Sequence, residues 1–141
     1  MNRPRASIPE TPPNRLLPPP FRRFLELYQA GRFWDSHEAL EDLWRAGRSD
    51  FYQALILYAS AWVHWERRNA HGVGAQLKKA LRRLAAYPSA YLGIDVAALR
   101  SHCIAVRAIV SNDEDTWHTR VQPMPLTLSA TRLRGDEVEL T

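Results

Sequence analysis

His37, Glu38 and Glu41 stand in the stretch FWDSHEALEDLW, residues 33–44, and their types and spacing suit proton transfer or metal ligation. Residues four apart on a helix share one face, so His37 and Glu41 can act on a single ligand. The pattern is HExxE. It differs from the zinc-protease signature HExxH, which needs a second histidine one turn on, so that protease motif is absent. At about 100° per residue, His37, Leu40, Glu41 and Trp44 fall in one stripe, with Phe33 a turn earlier and Glu38 at the flank. This phase puts His37 and Glu41 on the face that a bundle would bury.

A second semi-polar stripe follows in the next helix, where Gln53, Leu57, Ser60 and His64 line up and the small Ala61 permits close approach. If the two stripes meet, His37, Glu41 and His64 converge beside Trp44, with Gln53 and Ser60 lining the site. A carboxylate held away from water needs partners. Three outcomes meet that need. One is a structural hydrogen-bond network that fixes helix register. Another is a divalent metal (zinc, iron or manganese) held by His37, Glu41 and His64 with positions left open for water. In the third, catalysis runs without metal, with Glu41 or Glu38 as general base beside His37. If the chain is an enzyme, the expected class is a metal-assisted hydrolase with Glu38 as catalytic base.

The elements that must position these residues read as helices. After PPP at 18–20, apolar residues Phe21, Phe24, Leu25 and Tyr28 follow helical spacing up to Gly31. A second helix is expected from about Trp34 to Gly47, with Asp35 as cap and Glu38 three residues on. Ser49 or Asp50 caps the third, which runs to about Arg68, with Asn69 suited to a left-handed end. The fourth covers roughly Gly72 to Tyr87. It sets Val73, Leu77, Ala80, Leu81 and Leu84 opposite Lys78, Lys79, Arg82 and Arg83. Asp95 caps the fifth, which buries Val96, Leu99, Cys103, Val106 and Val110. The tail TRLRGDEVEL, 131–140, alternates about Gly135-Asp136 and predicts a β-hairpin pairing Arg134 with Glu137, Arg132 with Glu139 and Leu133 with Val138. The fold class is therefore all-α: an antiparallel multihelical bundle of about five helices with buried polar residues, plus a C-terminal β-hairpin. The expected organisation is a Pro-rich arm over 1–20, which holds seven of the ten prolines, a bundle domain over 21–111 and a tail over 112–141.

Bulk properties narrow the function classes. At 141 residues and 45% hydrophobic content the chain can bury one modest core. Cys103 is the only cysteine, so an internal disulfide is excluded, and the proline-rich N-terminus lacks the apolar segment of an export signal. The expected location is the cytoplasm. The apolar run from Ala54 to Trp65 is too short to cross a bilayer, so no membrane role is expected. A net charge of +4 with a pI near 9.6 is ordinary for a small domain. The basic face Lys78, Lys79, Arg82 and Arg83 comes without a recognition motif, so nucleic acid is an unexpected partner, and a weak nucleic-acid binder through this face stands as the third alternative. The five tryptophans and five tyrosines exceed what one site uses and fit a homo-oligomer or partner contact, the competing non-enzymatic class.

The segments AGRFWDSHEALEDLW at 30–44, ALILYASAWVHWERRN at 54–69 and GID at 93–95 together resemble the prokaryotic family catalogued as domain of unknown function 309. The resemblance extends over about residues 21–110, with matches at Gly31, His37, Glu38, Glu41, Trp44, His64, Asn69, Gly93 and Asp95. In the family the third helix often opens with Gly-Leu-Ile-Gln; this chain has Ala54, Leu55, Ile56 and Leu57, a less polar version. The resemblance implies a multihelical bundle with buried polar residues and no settled activity, and it poses the same metal question at the His/Glu motif. The arm and the tail lie outside it.

Overall fold

A computed structural model describes residues 17–140. The Pro-rich arm expected over 1–20 thus lies, up to residue 16, outside the described residues. Among the described residues five long helices and one short one build the bundle: α1 Pro19–Gln29, α2 Phe33–Gly47, α3 Asp50–Glu66, α4 Ala70–Leu84, α5 Val96–Asn112 and α6 Trp117–Arg120. Consecutive long helices pack on one another, α1 on α2, α2 on α3, α3 on α4 and α4 on α5. α1 opens inside the PPP run, with proline in its first positions, where a missing N–H costs nothing and the fixed φ suits a helix.

α3 is the central element because it is apolar on most of its circumference. Ten of its residues are buried, and Trp62, Tyr58, Phe51 and Leu55 rank among the largest fully buried side chains. No helix among the described residues is long and apolar enough to cross a membrane. The caps at Ser49 and Asp95 are those expected: Ser49 Oγ accepts from the Tyr52 amide and Asp95 Oδ1 from the Ala98 amide.

Other boundaries differ from the sequence reading. Asp35 does not cap α2; Arg32 stands at that position and pairs instead with the Asp35 carboxylate at 2.8 Å. Asn69 does not end α3. Arg68 takes the left-handed conformation there, and Asn69 caps α4 by accepting from the Gly72 amide. Val110 is half-buried where full burial was expected.

The β-hairpin of this fold is not in the tail. It lies between α4 and α5, where β1 Ala90–Tyr91 pairs antiparallel with β2 Ile94–Asp95 across a Leu92-Gly93 turn. Both turn residues have positive φ, as a two-residue hairpin loop of this hand requires. For Leu92 that conformation costs about 1–2 kcal/mol, which the surrounding packing must offset. Residues 131–140 form no strand: a 3-10 turn covers Ala130–Arg132, and the rest runs as an irregular segment across the bundle. The expected cross-strand pairs are replaced. Arg132 donates to the carbonyls of Gly93 and Thr127, and the Arg134 side chain turns to Asp136.

Candidate functional site

On α2, the deeply buried positions are Phe33, Ser36 and Leu40. This centres the core side about 60° away from the stripe expected from sequence. His37 and Glu41 consequently sit at the edge, with side chains 20% and 31% exposed. His37 Nε2 lies 3.9 Å from Glu41 Oε2, and Arg45 reaches the same carboxylate at 3.1 Å. The Nδ1 of His37 is buried without a hydrogen-bond partner. Trp34 packs its ring 5.3 Å from His37 and is itself 52% exposed, a large apolar surface left to solvent. Half-buried Trp44 closes the other end, with the Arg48 guanidinium 4.6 Å above its ring. Glu38 is exposed on the same side.

The semi-polar stripe of α3 faces α4, not α2. Ser60 Oγ accepts from Gln76 at 2.8 Å. Gln53 and Leu57 line a groove of about 610 Å³ with Lys79, Arg82, Arg83 and Ala86, in which Arg83 is paired with Asp50. His64 Nδ1 is 3.1 Å from Asn69 Nδ2, and the ring lies so close to Gly72 that a Cβ there would collide with it. Because Asn69 Oδ1 already accepts from the Gly72 amide, its NH2 donates to His64, which fixes Nδ1 as an acceptor on a neutral ring. Burial, aided by the charge of Arg67, lowers the His64 pKa accordingly. His64 is a clamp on the α3–α4 corner.

His37 and Glu41 are therefore brought together, with Glu38 and Trp44 on their helix. His64, Gln53 and Ser60 are turned toward a different helix. Among the described residues no group of three or more His, Cys, Asp or Glu side chains is placed to hold a metal. The three-ligand set expected from sequence does not fit this geometry.

Sequence reasoning passed over two polar networks. In one, Tyr28 donates to the Met124 carbonyl, while Tyr58 accepts from the Met124 amide and donates to His102 Nδ1. In the other, two buried carboxylates of the tail bond across the bundle: Glu139 to Tyr91 and Ser49, Glu137 to the Leu92 amide. His118 stacks on Trp65, and each ring N–H donates to the other residue's carbonyl. Cys103 is a buried thiol with its pKa pushed up to about 12 by burial, inert as a nucleophile.

The fold is a helical bundle in which His37 and Glu41 lie together on a half-exposed helix face. Residues 21–75, from α1 into α4, match the family described as Domain of unknown function (DUF309), so the resemblance drawn from the sequence holds over that span. His37, Glu41, His64 and Asn69 fall inside the match; the 93–95 turn and the tail carboxylates fall beyond it. No curated protein matches the chain.

Proposed function

We propose that the chain is a non-enzymatic interaction module that pairs with a second copy of itself through the outer face of α2. The observation that carries this reading is Trp34, an indole more than half exposed on a face whose charges are self-complementary. At 100° per residue, Trp34, Glu38, Glu41 and Arg45 fall within about 60°, with His37 and Trp44 at one edge and Arg48 as the left-handed cap just past the helix end. The acids occupy the first half of this stripe and the bases the second. Two copies crossing antiparallel near residue 43 set Glu38 against a second copy's Arg48, and Glu41 against its Arg45. This is the arrangement that two-fold symmetry requires of an isologous contact. Charge complementarity sets register, while each Trp34 indole, one turn beyond Glu38, packs at the end of the contact past the second copy's Arg48 and adds apolar burial. His37 and Glu41 then help fix the α2 surface. The free thiol of Cys103 suits the reducing cytoplasm as the site of action.

Sedimentation equilibrium on the full chain tests the reading. The wild type should dimerise reversibly. Trp34→Ala should weaken the dimer by about 2 kcal/mol, roughly thirtyfold in Kd. A wild type that stays monomeric at about 100 μM, near −5.5 kcal/mol of association free energy, would overturn it.

A metal at His37 and Glu41 is the second reading, favoured by His37 Nε2 standing 3.9 Å from Glu41 Oε2. It keeps zinc, iron or manganese as candidate ions and Glu38 as the candidate base. Elemental analysis of tag-free protein separates the two: stoichiometric metal that disappears in His37→Ala supports the centre, and metal-free dimers retire it.

A further inference from the structure

Beyond Arg132 the tail is held to the bundle by side chains alone, the way a bound peptide is held. Glu137 and Glu139 point inward and are 5% and 9% exposed, while Val138 between them is 87% exposed and Leu140 packs against the core. Glu139 accepts from Tyr91 OH and from Ser49 Oγ, both at 2.6 Å. Glu137 accepts from the amides of Leu92 at 2.9 Å, Arg134 at 3.1 Å and Gly135 at 2.7 Å. Neither carboxylate is paired with a cation among the described residues. The slot therefore recognises carboxylates through neutral donors, with the N-terminus of α3 adding its dipole.

The receptor side is organised by its own packing. Phe51, Tyr87 and Tyr91 form a mutually tilted trio with ring centroids 4.8–5.3 Å apart. Tyr87 OH accepts from the Phe51 amide, and Ser49 is also the cap of α3. Tyr52 brings a further hydroxyl, buried and unpartnered, close enough that the charge of Glu139 adds to the burial that raises its pKa. The last main-chain hydrogen bond in the tail, Leu140 to Glu137, is internal to it.

We propose that this slot is a docking site for unstructured acidic peptides carrying two glutamates separated by one residue and followed by an apolar residue. Residues 137–140 occupy it in cis, as a tethered ligand that a partner's segment displaces. The left-handed Leu92-Gly93 turn aims the Leu92 amide at the first carboxylate, and Tyr91 with Ser49 reads the second.

Fluorescence anisotropy with a labelled peptide of residues 135–141, GDEVELT, tests this on the full chain. Glu137→Gln/Glu139→Gln loosens the tethered ligand and should bind the peptide at least about tenfold more tightly than wild type, the scale of one charge-assisted hydrogen bond. Binding should be lost with the corresponding Gln-containing peptide, and on adding Tyr91→Phe to the variant. Equal, weak binding by a folded variant and by wild type would overturn the proposal. Should the double variant not fold, wild type decides: excess unlabelled peptide must accelerate tryptic cleavage after Arg134, and an unchanged rate is the contrary result.

Discussion

Glu137→Ala removes the acceptor that holds three main-chain N–H groups, and the structure says which of the three matters. The amides of Arg134 and Gly135 belong to exposed residues and can turn to water, whereas Leu92 is fully buried. The loss therefore concentrates on one buried donor left without a partner, worth about 1–3 kcal/mol. Against this stands the relief of no longer burying a carboxylate, which the lowered pKa of Glu137 shows to be smaller than the gain. Burial pushes that pKa up, but the amides of Arg134, Leu92, Glu137 itself and Gly135 together outweigh it. A net destabilisation of about 2 kcal/mol is expected, near 7 °C in Tm for a chain of this length. Urea unfolding at neutral pH measures it, with the neighbouring exposed Val138→Ala as a control expected to stay within about 0.5 kcal/mol of wild type. If Glu137→Ala is as silent as that control, the tail is not anchored by its carboxylates.

Acidification should lower stability in two stages. His64 and His102 both have lowered pKa values, so the unfolded chain takes up protons first and their contribution, complete above about 6.5, fades as pH falls through that value. Glu137 adds a second loss below about 4.5, its ordinary value, as pH falls through the lower folded one. A urea midpoint that rises on acidification would contradict both signs. Gly72→Ala should cost about 1–3 kcal/mol, because the new Cβ strikes the His64 ring and the Asn69 side chain; an unchanged midpoint would remove the clamp from the account. Tyr58→Phe leaves the Met124 amide and His102 without their partner and should cost about 1–3 kcal/mol by thermal unfolding, unlike a neutral exposed substitution.

Local chemistry was legible in the sequence where one residue decides the outcome. Ser49 and Asp95 cap their helices because each side chain needs only the amide three residues on. The long helices among the described residues followed from apolar periodicity, a signal repeated over every turn. The candidate site was legible only in part. Periodicity gives a stripe its width, but its rotation depends on which neighbours bury it, and α2 turned Ser36 and Leu40 inward and left Glu41 at the edge. His64 is turned away from His37 because the polar face of α3 bonds to α4 and its entry, not to α2. The tail shows the strongest conflict. Its alternation and Gly135-Asp136 pair favour a hairpin locally, yet Glu137 and Glu139 find donors in Leu92, Tyr91 and Ser49. Contacts 45 to 90 residues apart leave no local sequence signal.

The pairing of α2 with its copy is tested most directly by charge exchange on the full chain. Glu38→Arg/Glu41→Arg gives a wholly basic stripe and Arg45→Glu/Arg48→Glu a wholly acidic one. Each should be monomeric by sedimentation, and an equimolar mixture of the two should sediment as a heterodimer. Variants that dimerise as well alone as wild type does, or a mixture that stays monomeric while wild type pairs, would mean that this face is not where two copies meet.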